Sequence, residues 1–231
     1  MSNTNTPDFY VGYDRVITKV DSPCISGWEE AKDLEQLKAA ANSKTPNIEL
    51  GVKWIGGRLS NDVMKKVLGT IHAYPKTETA YVLYYNVMTK QFTVKCPEQS
   101  GFGASVNFKD DGVQPEPGFA KIGSIHTHPE MHAFWSGTDM NDQEFKRGLH
   151  IVFGLSEGHV KYTLCTVFTL AGHYDQKLED VMDPIDFTKD YKPVKEWVST
   201  IEKGKGKDSV FTKEEQELRR EDIRRRRGST W

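Results

Sequence analysis

The chain has 231 residues, 28% of them charged and 37% hydrophobic, the composition of a water-compatible globular protein rather than a fibrous or membrane-spanning one. No apolar run approaches the 18 to 20 residues of a membrane span. A formal net charge of −2 argues against a broadly basic nucleic-acid binder. The polar start, Met1 to Pro7, lacks the basic and apolar segments of a secretory signal, which sets a cytoplasmic expectation. Cys24, Cys96 and Cys165 form no CxxC pair and read as reduced structural thiols.

In chain order, Tyr10 to Val20 is β-like, and Trp28 to about Ala41 reads as a helix. Ile48 to Ile55 is a strand candidate. Ser60 is placed to cap a helix carrying Val63, Val67, Leu68 and Ile71 at helical spacing, ending at Pro75. The strand Ala80–Tyr85 follows, with a turn over Asn86 to Lys90 and a return strand Gln91–Lys95. A long Gly- and Pro-marked connection from Pro97 to Gly118 contains a possible strand at Ala104–Phe108. Ala120–Ile125 is a strand that leads directly into His126-Thr-His128-Pro129. Ser136 opens a short helix to about Arg147. Two β runs, Leu149–Phe153 and His159–Leu170, complete a mixed sheet. Asp175 to Lys207 reads as an acidic, Pro-punctuated appendage with a helix near Val194 to Glu202. Thr212-Lys-Glu-Glu215 is a capping-box pattern that opens a charged terminal helix ending in Arg224–Arg227.

The chemistry concentrates between His126 and Asp139. Histidines two apart on a strand share a face, and Ser136 and Asp139, three apart on a helical turn, also share one. Two imidazoles and one carboxylate are a complete catalytic zinc set that leaves a fourth tetrahedral position for water. His132, in the connecting loop, reads as a surface histidine because Asp139 already completes the set. Ser136-x-x-Asp139 is also an ordinary helix N-cap pattern, compatible with ligation. Phe134 and Trp135 either line a substrate groove or pack beneath the loop. His72, His150, His159 and His173 have no spacing partner and read as core or surface residues. Gly56-Gly57, a diglycine that invites a self-processing reading, sits in a turn before a helix. The terminal arginines read as a solvated tail.

The stretch His-x-His, seven residues, Ser, two residues, Asp resembles the signature of the JAMM (JAB, MPN+) metalloproteases without gap or substitution. The lead-in Gly123-Ser-Ile-His126-Thr-His128-Pro129 is similar to the family's form. Glu78, on a strand entered after a helix, stands where the family has its catalytic glutamate, although the glycine often found three positions later is Tyr81 here. The resemblance covers residues 58 to 172. It implies an α/β fold of the cytidine-deaminase-like (MPN) kind, a mixed central sheet flanked by helices. The corresponding division is an N-terminal extension at 1–57, a catalytic domain at 58–174 and a C-terminal appendage at 175–231. It further implies one zinc per chain on His126, His128 and Asp139, Glu78 as general base and Ser136 as hydrogen-bond donor to the oxyanion. The implied substrate is the peptide or isopeptide bond after the C-terminal glycine of a ubiquitin-like protein, with components of a conjugation pathway as partners. Two other readings share the motif or the fold: hydrolysis of a small sulfur-carrier protein adduct, or a RadC-like role, and a non-catalytic MPN scaffold, which the complete ligand set disfavours.

Overall fold

The computed structural model describes residues 9–11, 15–31, 38, 41, 44–102, 105–109, 116–141, 147–169 and 172–204. The chain is mixed α/β, with a mixed six-stranded sheet and few helices among the described residues. The strands are β5 (Ala80–Asn86), β6 (Gln91–Lys95), β9 (Phe119–His128), β10 (Gly148–Ser156), β11 (His159–Phe168) and β12 (His173–Asp175), in the order β12-β11-β10-β9-β5-β6. Within this sheet, among the described residues, only β9 and β10 run parallel; a parallel pair needs a crossover, and the segment that carries Phe134 to Asp139 lies within it.

Side chains alternate across this sheet, so one face is largely apolar. Tyr81, Leu83, Ile125, Leu149, Ile151, Phe153 and Val167 are 3% exposed or less and join one core. Helix α1 (Asn61–Ala73) covers that face with Met64, Val67, Leu68 and Ile71. Ser60 caps it as expected, its Oγ accepting from the Val63 amide at 3.4 Å. The β5–β6 hairpin also forms at the expected place.

The N-terminal region is an antiparallel sheet, β1 (Phe9–Val11), β2 (Val16–Asp21), β3 (Ile25–Glu30) and β4 (Gly51–Trp54). The helix expected from Trp28 is corrected at its start: Trp28 to Glu30 belong to β3, paired with β2 and β4. Most of its remainder lies outside the described residues. Ladder pairing on both sides of β3 outweighs the helical spacing read from Trp28 onward. This sheet is fastened to the central one by Gln176, whose Oε1 accepts from the Trp54 amide at 2.8 Å and whose Nε2 donates to the Val52 carbonyl at 2.9 Å. Cys24, Val52 and Trp54 enter the same core as α1.

The C-terminal segment also reaches that core. Val181 at the end of α3 (Leu178–Val181) is buried, as are Met182 and Ile201. Leu59 donates to the Val181 carbonyl at 2.8 Å and accepts from the Asp183 amide at 3.0 Å. Helix α4 (Lys195–Gly204) brings Trp197 to 5.6 Å from the Tyr81 ring. Packing is therefore continuous across the boundaries at 57/58 and 174/175. The charged helix expected from Thr212 lies outside the described residues. The three cysteines are unpaired and buried, and burial pushes their thiols up to about 11 for Cys24 and about 12 for Cys96 and Cys165, which leaves them protonated and unreactive at neutral pH. No helix among the described residues is long and apolar enough to cross a membrane.

Between β6 and β9 the chain forms a separate hairpin, β7 (Glu98–Phe102) and β8 (Ser105–Lys109). The expected strand at Ala104–Phe108 corresponds to β8, while β7 carries no apolar alternation that would announce it. Phe108 of this hairpin packs with Ala80, Val82 and Tyr84 on the second face of the sheet.

Candidate metal centre

Strand β9 extends three residues further than its apolar run suggests, carrying His126 and His128 into the ladder. His126 lies opposite Ala80 of β5 and Val152 of β10, and His128 lies beside Gly154. Both histidines are buried, at 1% and 3% exposure. Their Nε2 atoms meet at 3.2 Å. The Asp139 Oδ2 atom lies 3.7 Å from the His126 Nε2 and 3.8 Å from the His128 Nε2.

Asp139 is delivered by the turn after β9. Pro129 and Glu130, the latter in the left-handed region at φ 53, redirect the chain, which then crosses β10 at Gly154. A Cβ at Gly154 would come within 2.5 Å of the Met131 carbonyl oxygen and the Ala133 nitrogen, so only glycine lets the loop lie this close to the strand. Ser136 then caps α2 (Gly137–Asn141) in a reciprocal box: its Oγ accepts from the Asp139 amide at 3.1 Å, and its own amide donates to Asp139 Oδ2 at 2.8 Å. The cap and the proposed ligand are the same residue pair.

Glu78 arrives from the mouth of β5. The Thr79 carbonyl accepts from the Thr127 amide at 3.0 Å, and the Thr127 hydroxyl accepts from the Thr79 amide at 2.9 Å, which locks residue 79 between the two histidines. Beyond β6, the Gln99 side chain takes over the pairing of Ala80: Oε1 accepts from its amide at 2.8 Å and Nε2 donates to its carbonyl at 3.0 Å. Glu78 is thereby held with its carboxylate within 4.8 Å of the ligand atoms of His126 and His128, at 5% exposure.

The two carboxylates are driven apart electrostatically. Burial, with Asp139 as a second cause, pushes Glu78 up to about 8. Burial would raise Asp139 too, but the hydrogen bond and charge of His126 and both hydrogen bonds from Ser136 outweigh it and hold Asp139 at about 2. Burial and the His126 ring lower His128, against the opposing pull of Asp139 and the His132 backbone. At neutral pH the ion-free centre thus contains an ionised Asp139, a protonated Glu78 and a neutral His128.

This donor set fits a tetrahedral cation. Ligand atoms bound at 2.0–2.1 Å around zinc lie roughly 3.4 Å apart, and the three separations here are 3.2, 3.7 and 3.8 Å. Two imidazoles with a carboxylate favour zinc and related transition metals over magnesium or calcium. Glu78 is the remaining group with proton-carrying capacity at the centre.

Phe134 and Trp135 have different places. Phe134 is 43% exposed, its ring 4.6 Å from His128 and edge-on to it. Trp135 packs inward, 5.8 Å from His126 and 5.0 Å from Phe168, with its Nε1 donating to the Thr166 hydroxyl at 3.1 Å. Thr166 donates onward to Asp175 at 2.8 Å. His132 stacks near Tyr162, ring centroids 3.9 Å apart, at the surface. His150, read from the sequence as a core or surface residue, is core: it is fully buried beneath the centre with Nδ1 2.9 Å from the Ser124 hydroxyl and held at about 3 by burial. Gly154 and Gln99 carry no role in the sequence reading. Gly154 inside the apolar run of β10 was the available signal; for Gln99 the sequence offers none.

No family model matches the sequence, and no curated protein matches it. Among solved structures the chain is similar to the solution structure of a protein from Salinibacter ruber (strain DSM 13855), at 12% identity, covering 57% of this chain and 94% of that one, with a TM-score of 0.33. A likeness at that level bears on neither family nor activity.

Proposed function

We propose that this chain is a JAMM-type zinc isopeptidase with an MPN-like, cytidine-deaminase-like catalytic fold, hydrolysing the amide after the C-terminal glycine of a ubiquitin-like protein. The observation that carries the reading is the convergence of Glu78 with His126, His128 and Asp139, residues up to 61 positions apart in the chain, at one buried point. A zinc ion held by His126, His128 and Asp139 would supply Lewis acidity, lowering the pKa of water to about 7 and polarising a carbonyl.

The protein's own groups do the rest. Glu78 accepts a proton from the attacking water and delivers it to the departing amine, which leaves poorly as an anion. Its buried setting, which favours the neutral acid, suits the delivery half of that cycle; a cation beside it favours the carboxylate needed for the first half. The Ser136 Oγ accepts the Asp139 amide, and its hydroxyl hydrogen, which lowers Asp139 when turned to that carboxylate, would turn to the oxygen on which charge develops. Exposed Phe134, edge-on to His128, offers an apolar wall for the residues leading to the scissile glycine. His150 and Trp135 support the histidines from below and exclude water there.

The test is a panel of ubiquitin-like and sulfur-carrier proteins joined through a terminal glycine to a lysine or short peptide. With one zinc at this centre, wild type should cleave after the glycine, and Glu78→Gln should retain the zinc and lose turnover. Equal cleavage by wild type and Glu78→Gln would sink the reading.

A further inference from the structure

A second group of ligating side chains lies away from this centre. It joins His72 in the last turn of α1, His159 at the turn into β11, and Asp190 in the strap between α3 and α4. Their ligand atoms all lie within 4.8 Å of one another. The His72 and His159 rings meet edge-on at 5.0 Å, and His72 Nδ1 is 3.8 Å from the Asp190 carboxylate. The His72 side chain is 10% exposed. Two ring nitrogens in this group, His72 Nε2 and His159 Nδ1, are buried without a hydrogen-bond partner among the described residues, which is costly if nothing else satisfies them.

An ion pair between His72 and Asp190 does not account for the arrangement. Burial and the His159 ring hold His72 below the ordinary imidazole range, with Asp190 opposing, and the Tyr191 amide donates to His72 Nδ1 at 3.4 Å, which requires a lone pair there. Nδ1 therefore carries no proton to share with the Asp190 carboxylate 3.8 Å away, and an ion bound at Nδ1 would take the place of the long Tyr191 contact. The fold builds this juxtaposition from three sides. The strap crosses α1 at Gly69, where any Cβ would collide with the Lys192 carbonyl. The Tyr191 ring stacks over His72 at an interplanar angle of 13°. On the third side, the turn at Gly158 abuts Pro75 just past the end of α1.

We propose that His72, His159 and Asp190 form a second transition-metal site, with zinc as its best-matched ion, which ties the strap between α3 and α4 to the end of α1 and the β10–β11 turn. Two imidazoles and a carboxylate are the ligand types zinc prefers, and exposed Asp190 leaves the ion a route in from solvent. Because an ion bound only to the folded chain stabilises it, the site acts as a clamp on the C-terminal segment. It is independent of the hydrolytic reading.

Metal content of the full chain, stripped and then equilibrated with zinc alone, tests the proposal. Wild type should hold two equivalents and His126→Ala/His128→Ala one. In that double variant, zinc should raise the melting temperature, and adding His72→Gln/His159→Gln should abolish both the remaining ion and the shift. Asp190→Asn alters an exposed residue and leaves folding intact; it should weaken the remaining affinity at least as much as the roughly 10–100-fold that loss of an outer hydrogen-bond partner costs a metal site. No ion in His126→Ala/His128→Ala, or an ion indifferent to His72, His159 and Asp190, overturns the proposal. A wild type holding one ion, lost with His72→Gln/His159→Gln and kept in His126→Ala/His128→Ala, would instead support this site and remove the zinc from the proposed active centre.

Discussion

Strands β9 and β10 carry opposite chemistries on their two faces, one residue out of step, where β5 is apolar on both. Tyr81, Leu83, Ile125, Ile151 and Phe153 face α1 in a dry apolar core, while Ser124, His126, His128, His150 and, from β11, Thr166 face the other way and are equally buried. The first set is held by packing and tolerates no charge. The second is held by hydrogen bonds among its buried nitrogens and oxygens. The difference teaches that burial alone does not mark core: what a buried face is made of decides whether it stores stability or chemistry.

Substitutions separate the two faces, and the largest effect belongs to the polar one. Glu78→Gln should lower turnover on a cleavable conjugate by on the order of 10²–10⁴-fold while zinc content, measured by mass spectrometry, stays at the wild-type level. On the apolar face, Leu83→Ala should cost about 2–5 kcal/mol in denaturant unfolding and leave the zinc stoichiometry of the folded fraction unchanged. Gly154→Ala connects the faces to the loop: its methyl meets backbone rather than a yielding side chain, so about 1–3 kcal/mol of destabilisation should accompany a loss of zinc affinity as Asp139 is displaced.

The last effect concerns pH. In the metal-free chain the folded-state pKa of Glu78, about 8, lies above its ordinary 4.5, so the folded state binds the extra proton and stability falls as pH rises from about 4.5 to 8. Asp139 has the opposite sign: depressed from 3.8 to about 2, it contributes stability above about pH 4 that is lost as pH falls toward 2. Chemical denaturation across pH 2 to 8 should show both slopes. Glu78→Gln should flatten the upper one, and a slope unchanged by that substitution would assign it to other groups.

Much of this was legible in the sequence where pattern and geometry share a period. The Ser60 cap and α1, the β5–β6 hairpin and the β9 run into His126 and His128 are repeats of 3.6 or 2, and the structure has them in place. The start of the helix expected from Trp28 was misread because Trp28, Glu29 and Glu30 acquire their conformation from partners on β2, and Trp28 also from Gly51 of β4, not from their neighbours in sequence. Residues 175 to 204 looked like an appendage because their core contributions, Val181, Met182 and Ile201, are isolated apolar positions in a Pro-punctuated stretch with no period to detect. At the centre, ligand types and spacing could be read; the opposed shifts of Glu78 and Asp139 could not, since they depend on distances between elements.

The Gln99 amide has a consequence of a different kind. Strand β6 ends at Lys95, before it can reach Ala80, and Gln99 meets both backbone groups of that residue with one side chain, as Gln176 does for β4. Each glutamine is a counterfeit peptide group, a strand one residue long. A bare ladder position invites another chain to add itself to the sheet, and at Ala80 such an intruder would lie across the Glu78 carboxylate. The glutamine fills the vacancy with a piece of the protein that cannot propagate, so the sheet stops there instead of becoming a template.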